Sequence, residues 1–359
     1  MNELLHATSL YDVLHDSSDR ENYEALKNAI ITGLPEKDAR EIRQVLSGES
    51  LPSLMSDVIA KKIFSPTEHP LRAEYLLQKV TNDMNIHILG DAANEGYMQG
   101  RLSKKMIFDI PVRLLDERRA DIEFQISAQD FIIERAELYS SDLLLVEYST
   151  AIDQKKEDLS FTDVHGTIII VFMRKSPNPF KAYQGERYIH RFDTMESDSG
   201  IKHTPLRKMY FVQVDKAFEQ FLRGEDAEND KEFQLLLAAM ADINNEQVRK
   251  EAMSHPELAQ IYDELRVFAQ DKEVQNMLLS EKYAVADFNA VKSYERNEGL
   301  AEGLAKGLAK GHAEGGQEMI YRLVSEKEIT PEKGAMTLEI SVEDLKNRMI
   351  LLGYDFPEE

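Results

Sequence analysis

An α/β fold followed by an all-helical region is what the sequence predicts, on three observations. Two segments, KKMIFDIPVRLL and RADIEFQIS, alternate apolar and polar residues and are joined by the short polar run LDERR, which is the pattern of a β-hairpin. A long amphipathic stretch, DFIIERAELYSSDLLLVEY, is followed by the apolar run of GTIIIVFMR, which reads as a helix and then a buried strand. From Ala217 to about Glu298 the apolar spacing is helical throughout and carries many acids.

The remaining elements fall around these. Residues 1–50 read as short polar helices, with LPEKDAREIRQVL started by its proline. Leu51 to Phe64 is amphipathic, and after SPTEHP, Pro70 can open a helix over LRAEYLLQKV because a first-turn N–H has no partner to lose. NIHIL alternates as a strand. If the hairpin turns over Leu115 to Glu117, Asp109 lies opposite Glu123, and Pro111, which cannot donate to a ladder, needs an edge or a bulge. KMYFVQVD supplies one more strand. Near the C-terminal end, glycines at 299, 303, 307, 311 and 315 recur every four residues, a stripe along one side of a helix. Glycine costs about 1 kcal/mol per helical position against alanine. The stripe therefore predicts either close helix–helix contact or a frayed linker. The last segment reads as three short helices, with Thr330 before Pro331 and Ser341 three residues before Asp344 as N-caps, a pattern shared with small helix-turn-helix modules.

Composition narrows the chemistry. The absence of cysteine removes disulfides, zinc ribbons, thiol catalysis and iron–sulfur clusters. The N-terminus lacks the basic and apolar regions of a secretion signal, and the longest apolar run, Ile168 to Phe172, is far short of the roughly 20 residues that span a bilayer. The expectation is a cytoplasmic protein with no membrane partner. The net charge of −22 opposes phosphate binding, but it is uneven: residues 69–215 carry −4, whereas 216–359 carry −13. Lys104-Lys105, Arg118-Arg119, Arg174-Lys175 and Arg207-Lys208 are candidate phosphate-facing pairs, or else solvated loop ends.

Asp109 and Glu123 facing each other on apolar strands form a candidate divalent-ion site, because buried carboxylates need a partner and magnesium is satisfied by two or three oxygen ligands and water. Gln125 follows on the same strand face. The spacing Asp…Glu-x-Gln alone leaves open two ordinary strand acids. His165 and His190 have no second ligand at metal spacing in the sequence and read as structural, and GLAKGLAKG lacks the ending of a phosphate-binding loop.

The order SDVIAKKIFSPTEHPLRAEYLL, NEG, IFDIPVRL, DIEFQ, ERAELYSSDLLL, FTDVHGTIIIVFMRKSPNPF and YIHRF, with the glycine-repeat tail, resembles the recombination-promoting nuclease/putative transposase family of the PD-(D/E)xK superfamily. The resemblance implies a restriction-endonuclease-like core with a mixed central sheet flanked by helices. It also implies DNA cleavage with Mg²⁺, or Mn²⁺, as cofactor. By position, Asp109 takes the place of the motif Asp, Glu123 that of the (D/E), and Gln125 stands at the lysine position. Glu74 matches the helix acid that often completes the metal set, its alternative being a solvated helix face. Arg135, on one helix face with Tyr139 and Asp142, faces phosphate or pairs with a carboxylate; ISAQDFIIER departs from the family there. The expected organisation is an N-terminal helical segment at 1–50, a nuclease domain at 51–222, an acidic helical region at 223–297, and a glycine-repeat helix with a small helical module at 298–359. A homo-oligomer formed through the glycine-repeat helix is the expected self-association. The competing expectation keeps this fold as an inactive DNA- or protein-binding scaffold.

Overall fold

A computed structural model describes residues 20–91, 109–128, 130–155, 160–193 and 205–357. The chain divides into two compact units, Met1–Ala284 and Val285–Glu359.

In the first unit, helices α1 (Arg20–Gly33), α2 (Glu36–Ser47), α3 (Asp57–Ile63) and α4 (Pro70–Thr81) precede strand β1 (Ile88–Asp91). Pro70 occupies the first turn of α4, and Asn82, in the left-handed region, ends it. The hairpin follows as β2 (Ile110–Leu114) and β3 (Arg119–Gln125). Its turn closes with Glu117 N–H on the Leu114 carbonyl at 3.0 Å, and Glu117 takes φ +68°. That turn sets the register Ile110↔Ile122 and Pro111↔Asp121. Pro111 falls one residue past the last described pairing of β1 with β2, Asp91↔Val112, and β1 carries an irregularity between Ile88 and Gly90. Helix α5 (Ile132–Lys155) leads to β4 (Thr167–Met173), then come α6 (Asn178–Lys181), β5 (Ile189–Asp193) and β6 (Arg207–Gln213).

These strands form a mixed sheet in the order β1-β2-β3-β4-β6-β5, with β3, β4 and β6 parallel and the outer pairs antiparallel. All seven residues of β4 are buried, which is why it reads as a continuous apolar run: both of its faces are covered. On one face, Ile169, Val171, Met173, Met209 and Phe211 pack under Ile132, Ala136 and Leu143 of α5. On the other, Phe64 just after α3 stacks on Phe124 at 5.7 Å, and Phe124 on Phe172 at 5.5 Å. Helices α7 (Val214–Arg223), α8 (Lys231–Ala241), α9 (Glu246–Ala252), α10 (Pro256–Gln270) and the start of α11 (Lys272–Ser325) complete the unit. The first turns of α11 tie back to the N-terminal helices: Tyr23 donates to Asn276, Glu281 accepts from Ser56 and Asp57, and Lys282 pairs with Glu41.

In the second unit, the end of α11 with α12 (Pro331–Thr337) and α13 (Val342–Leu351) encloses Tyr321, Val324, Ala335, Leu345 and Met349. Both expected N-caps are present: Thr330 accepts from Lys333 N–H at 3.3 Å and Ser341 from Asp344 N–H at 3.0 Å. The glycine repeat lies within α11, and Gly303 and Gly307 face open space. Among the described residues no close helix contact therefore offsets their cost at these two positions. Gly334 differs, because a Cβ there would stand 2.6 Å from Val324 Cγ2, inside the module's core. Gly334→Ala is expected to destabilise this unit by about 1–3 kcal/mol through overpacking. Gly303→Ala is expected to stabilise the helix by about 1 kcal/mol. Thermal melts of the two variants check both signs.

Candidate active site

The register of the hairpin builds the site. Asp109, one residue before β2, continues the pairing opposite Glu123, and its Oδ2 accepts the Phe124 N–H at 3.0 Å. Side chains alternate along β3, so Asp121, Glu123 and Gln125 share one face. In the parallel pairing with β4, Asp121 and Glu123 lie beside Ile169 and Val171, the residues that α5 covers. Asp121 is wholly buried and Glu123 is 6% exposed. From α5, Arg135 reaches Glu123 Oε2 at 3.1 Å and lies 4.9 Å over the Tyr139 ring. The structure thus pairs Arg135 with a carboxylate. Gln125 donates from Nε2 to the Ser127 carbonyl at 3.1 Å.

The electrostatics are those of an undercompensated acidic cluster. Burial, reinforced by the charge of Glu123, pushes Asp109 up to about 7. Burial likewise pushes Asp121 up to about 7. Glu123 rises well above the carboxylate range, through burial first and the neighbouring Asp121 second, with Arg135 opposing. Both oxygens of Asp121 and Oε1 of Glu123 are out of contact with water and have no donor in hydrogen-bonding geometry. The Glu123 carboxyl and the Ile110 N–H lower Asp121 somewhat, the charge of Asp109 raises it, and Arg135 opposes that rise. An unsatisfied buried acceptor costs about 1–3 kcal/mol, more when charged. Two things relieve such a cluster: protons shared between the acids, or a cation.

The donors are all oxygens, which suits a hard divalent ion such as Mg²⁺ or Mn²⁺. Among the described residues no three acidic or imidazole side chains converge as one ligand set. The orphaned oxygens therefore fit an ion held by two carboxylates and completed by water, the mode that magnesium favours.

Glu74, expected beside Asp109 and Glu123, is held elsewhere. Its Oε1 pairs with His87 Nδ1 at 3.0 Å and accepts from Gln78 at 3.2 Å, while Oε2 accepts the Ile88 N–H at 3.0 Å. Ile88 is paired with Leu114, five residues along β2 from Asp109, or roughly 16 Å at the rise of a strand. The physical reason is the path of α4, which contacts both β1 and β6 and so crosses the face of the sheet, leaving Glu74 over the start of β1. Helix α3 supplies charged groups instead: Asp57 and Lys61 act on Asp109, and Lys61 also feels Glu123.

Two residues of the site escape a reading by sequence. Asp121 was legible in principle, since it lies two residues before Glu123 on an alternating strand. Lys61 carries no local signal, because its position depends on how Phe64 packs against Phe124.

The basic pairs divide. Lys104-Lys105 lie outside the described residues. Arg118 and Arg119 do not form a phosphate surface: Arg118 pairs with Asp116 and Asp83, and buried Arg119 with Glu147 at 2.8 Å. Arg207 binds Glu137 and Ser141, and Arg174 donates to the Ala241 carbonyl. His165 contacts Glu147 and His190 contacts Gln213 at 2.8 Å, within the fold rather than at the acidic cluster. In the C-terminal module, α13 opens with Glu343 and Asp344, which repel phosphate at the end a recognition helix would present. Among the described residues no helix is long and apolar enough to cross a membrane.

A family model described as PD-(D/E)XK nuclease family transposase matches residues 55–295, which contain the whole sheet and every residue of the acidic cluster. No curated protein and no solved structure matches the chain.

Proposed function

The chain belongs to the PD-(D/E)XK nuclease family transposases, and on that premise we propose that it is a divalent-metal-dependent DNA endonuclease serving recombination or a mobile element. The observation that carries the reading is the set of orphaned carboxylate oxygens on Asp121 and Glu123, set against Asp109 on paired strands. Asp109 and Glu123 would hold Mg²⁺ or Mn²⁺ with water completing the set, and Asp121 would stand beside them on β3. When bound, the ion lowers the pKa of a coordinated water and offsets charge that develops on the phosphate.

The protein's own groups position the rest. Gln125 is neutral and can orient a water or a phosphate oxygen only by hydrogen bonds. Arg135 pairs with Glu123, and were that carboxylate to ligate a cation, the guanidinium would be free to turn toward the DNA backbone. The glycine-repeat helix is where a second copy would pack, with DNA the substrate and the cytoplasm the site of action.

Supercoiled plasmid is expected to be nicked slowly and with little sequence preference under Mg²⁺ or Mn²⁺, and not in EDTA. The net charge of −22 repels DNA and salt screens that repulsion, so nicking should not fade as ionic strength rises from low values to the physiological range, where the Debye length is about 8 Å. DNA that is bound but never nicked with either ion would favour the inactive scaffold, which the neutral Gln125 and the acidic surface also suit.

A further inference from the structure

Position 125, where the motif lysine would stand, is a neutral glutamine, and the one cation of β3, Arg119, is taken up by Glu147. The structure brings one from another element. Lys61 lies one turn into α3, and its Nζ is 2.8 Å from Asp57 Oδ1. Helix α3 is seven residues long and would not be rigid alone. Three contacts fix it. At its N-terminus the carboxylate of Glu281 accepts the Asp57 N–H at 3.0 Å and the Ser56 hydroxyl, placing a negative charge at the positive end of the helix. Along its length Val58, Ile59, Ala60 and Ile63 are buried. Just past its C-terminus, Phe64 stacks on Phe124, which sits between Glu123 and Gln125 and donates its N–H to Asp109. The backbone that carries Lys61 is therefore referenced to the same residue that anchors Asp109.

The charges agree with that placement. Burial works against the Lys61 ammonium, but the hydrogen bond to Asp57 and the charges of Asp57, Asp109 and Glu123 outweigh it, keeping the amine protonated above the ordinary lysine range. The side chain is 37% exposed and so open to a ligand from solvent.

We propose that Lys61 supplies the positive charge that position 125 lacks: from α3, held by Asp57, its ammonium contacts the scissile phosphate beside the Asp109–Glu123 cluster. This rests on the nuclease reading above. The role is electrostatic, with the ammonium donating hydrogen bonds to a non-bridging phosphate oxygen as charge builds there; it transfers no proton. A second consequence follows from charge alone. An ammonium near a divalent ion repels it, so removing Lys61 should weaken catalysis while strengthening metal binding.

The test compares the full-length wild type with Lys61→Met and with Lys61→Met combined with Gln125→Lys. Lys61→Met is expected to lower kcat for plasmid nicking by about 100-fold, the scale of losing one preorganised donor at a transition state, with KM little changed. The double variant should regain at least about tenfold, because it returns a lysine to the strand. Calorimetric titration with Mn²⁺ alone should show Lys61→Met binding on the order of fivefold tighter, because a nearby positive charge that repels the divalent ion is gone. Equal nicking by wild type and Lys61→Met overturns the proposal. So does lost nicking together with weakened Mn²⁺ binding, which would make Lys61 a structural strut of α3. If the wild type nicks nothing, the nuclease reading falls, and the Mn²⁺ titration still decides the placement: unchanged affinity in Lys61→Met overturns it.

Discussion

Asp109→Ala and Glu123→Gln are each expected to lower divalent-dependent nicking by at least about 10³-fold, a loss of ~4 kcal/mol in transition-state stabilisation, while the protein stays folded. Each change removes a metal-facing carboxylate, and the cluster has no third convergent acid among the described residues to replace it. Glu123→Gln makes a further, opposite prediction for stability. In the metal-free protein, Asp109 and Asp121 titrate at about 7 instead of the ordinary carboxylate value near 3.8. A raised folded-state pKa means that the native state binds protons the unfolded chain has released. Stability is then full at low pH and falls as pH climbs from about 4 to about 7. Removing the carboxyl at 123 takes from Asp109 the neighbour whose charge helps to raise it, so the Asp109 share of that loss should shrink. Arg135 loses its partner, but it is one-third exposed and can rehydrate. Calorimetric melts in EDTA from pH 5 to pH 8, beside nicking assays, read both effects. Equal nicking by either variant and wild type would place the chemistry elsewhere or in a contaminant.

The second large effect is in the core. Phe172→Ala is expected to destabilise the first unit by about 3–5 kcal/mol, through lost apolar burial and the cavity left behind. Phe172 has no exposure, lies on the central strand β4, and is the inner ring of the Phe64–Phe124–Phe172 stack. For a unit of this size the change amounts to roughly 10 °C in melting temperature. Because Phe124 also holds Asp109, loosening the stack should weaken Mn²⁺ binding at temperatures where the variant is still folded. A drop of less than about 2 °C would show that the stack repacks without a cavity.

Much of this architecture was readable in the chain itself, wherever a few neighbouring residues carry the information. Alternation on both sides of LDERR specified the hairpin, and the turn length alone set Asp109 opposite Glu123, since a slip of one residue would turn every side chain to the wrong face. The run from Ile168 to Phe172 announced a strand covered on both faces. Thr330 and Ser341 capped the helices they precede, because capping chemistry acts within three residues. Other features depended on segments far apart in sequence. Glu74 was matched to the metal set by position, yet the path of α4 carried it to the start of β1. Arg118 and Arg119 looked like a basic patch until Asp116, Asp83 and Glu147 took them up as partners. The glycine stripe formed its helix, but Gly303 and Gly307 met open space, while Gly334, outside the repeat, proved to be the close-packed one. Lys61 comes under the charges of Asp109 and Glu123 from α3, whose N-terminus is held by Glu281, more than 200 residues later, and whose C-terminal end rests Phe64 on Phe124. Periodicity and turn chemistry are local, so they can be read along one strand or helix. Which charged groups share a site is decided by the packing of elements against each other, and that packing belongs to the folded chain as a whole.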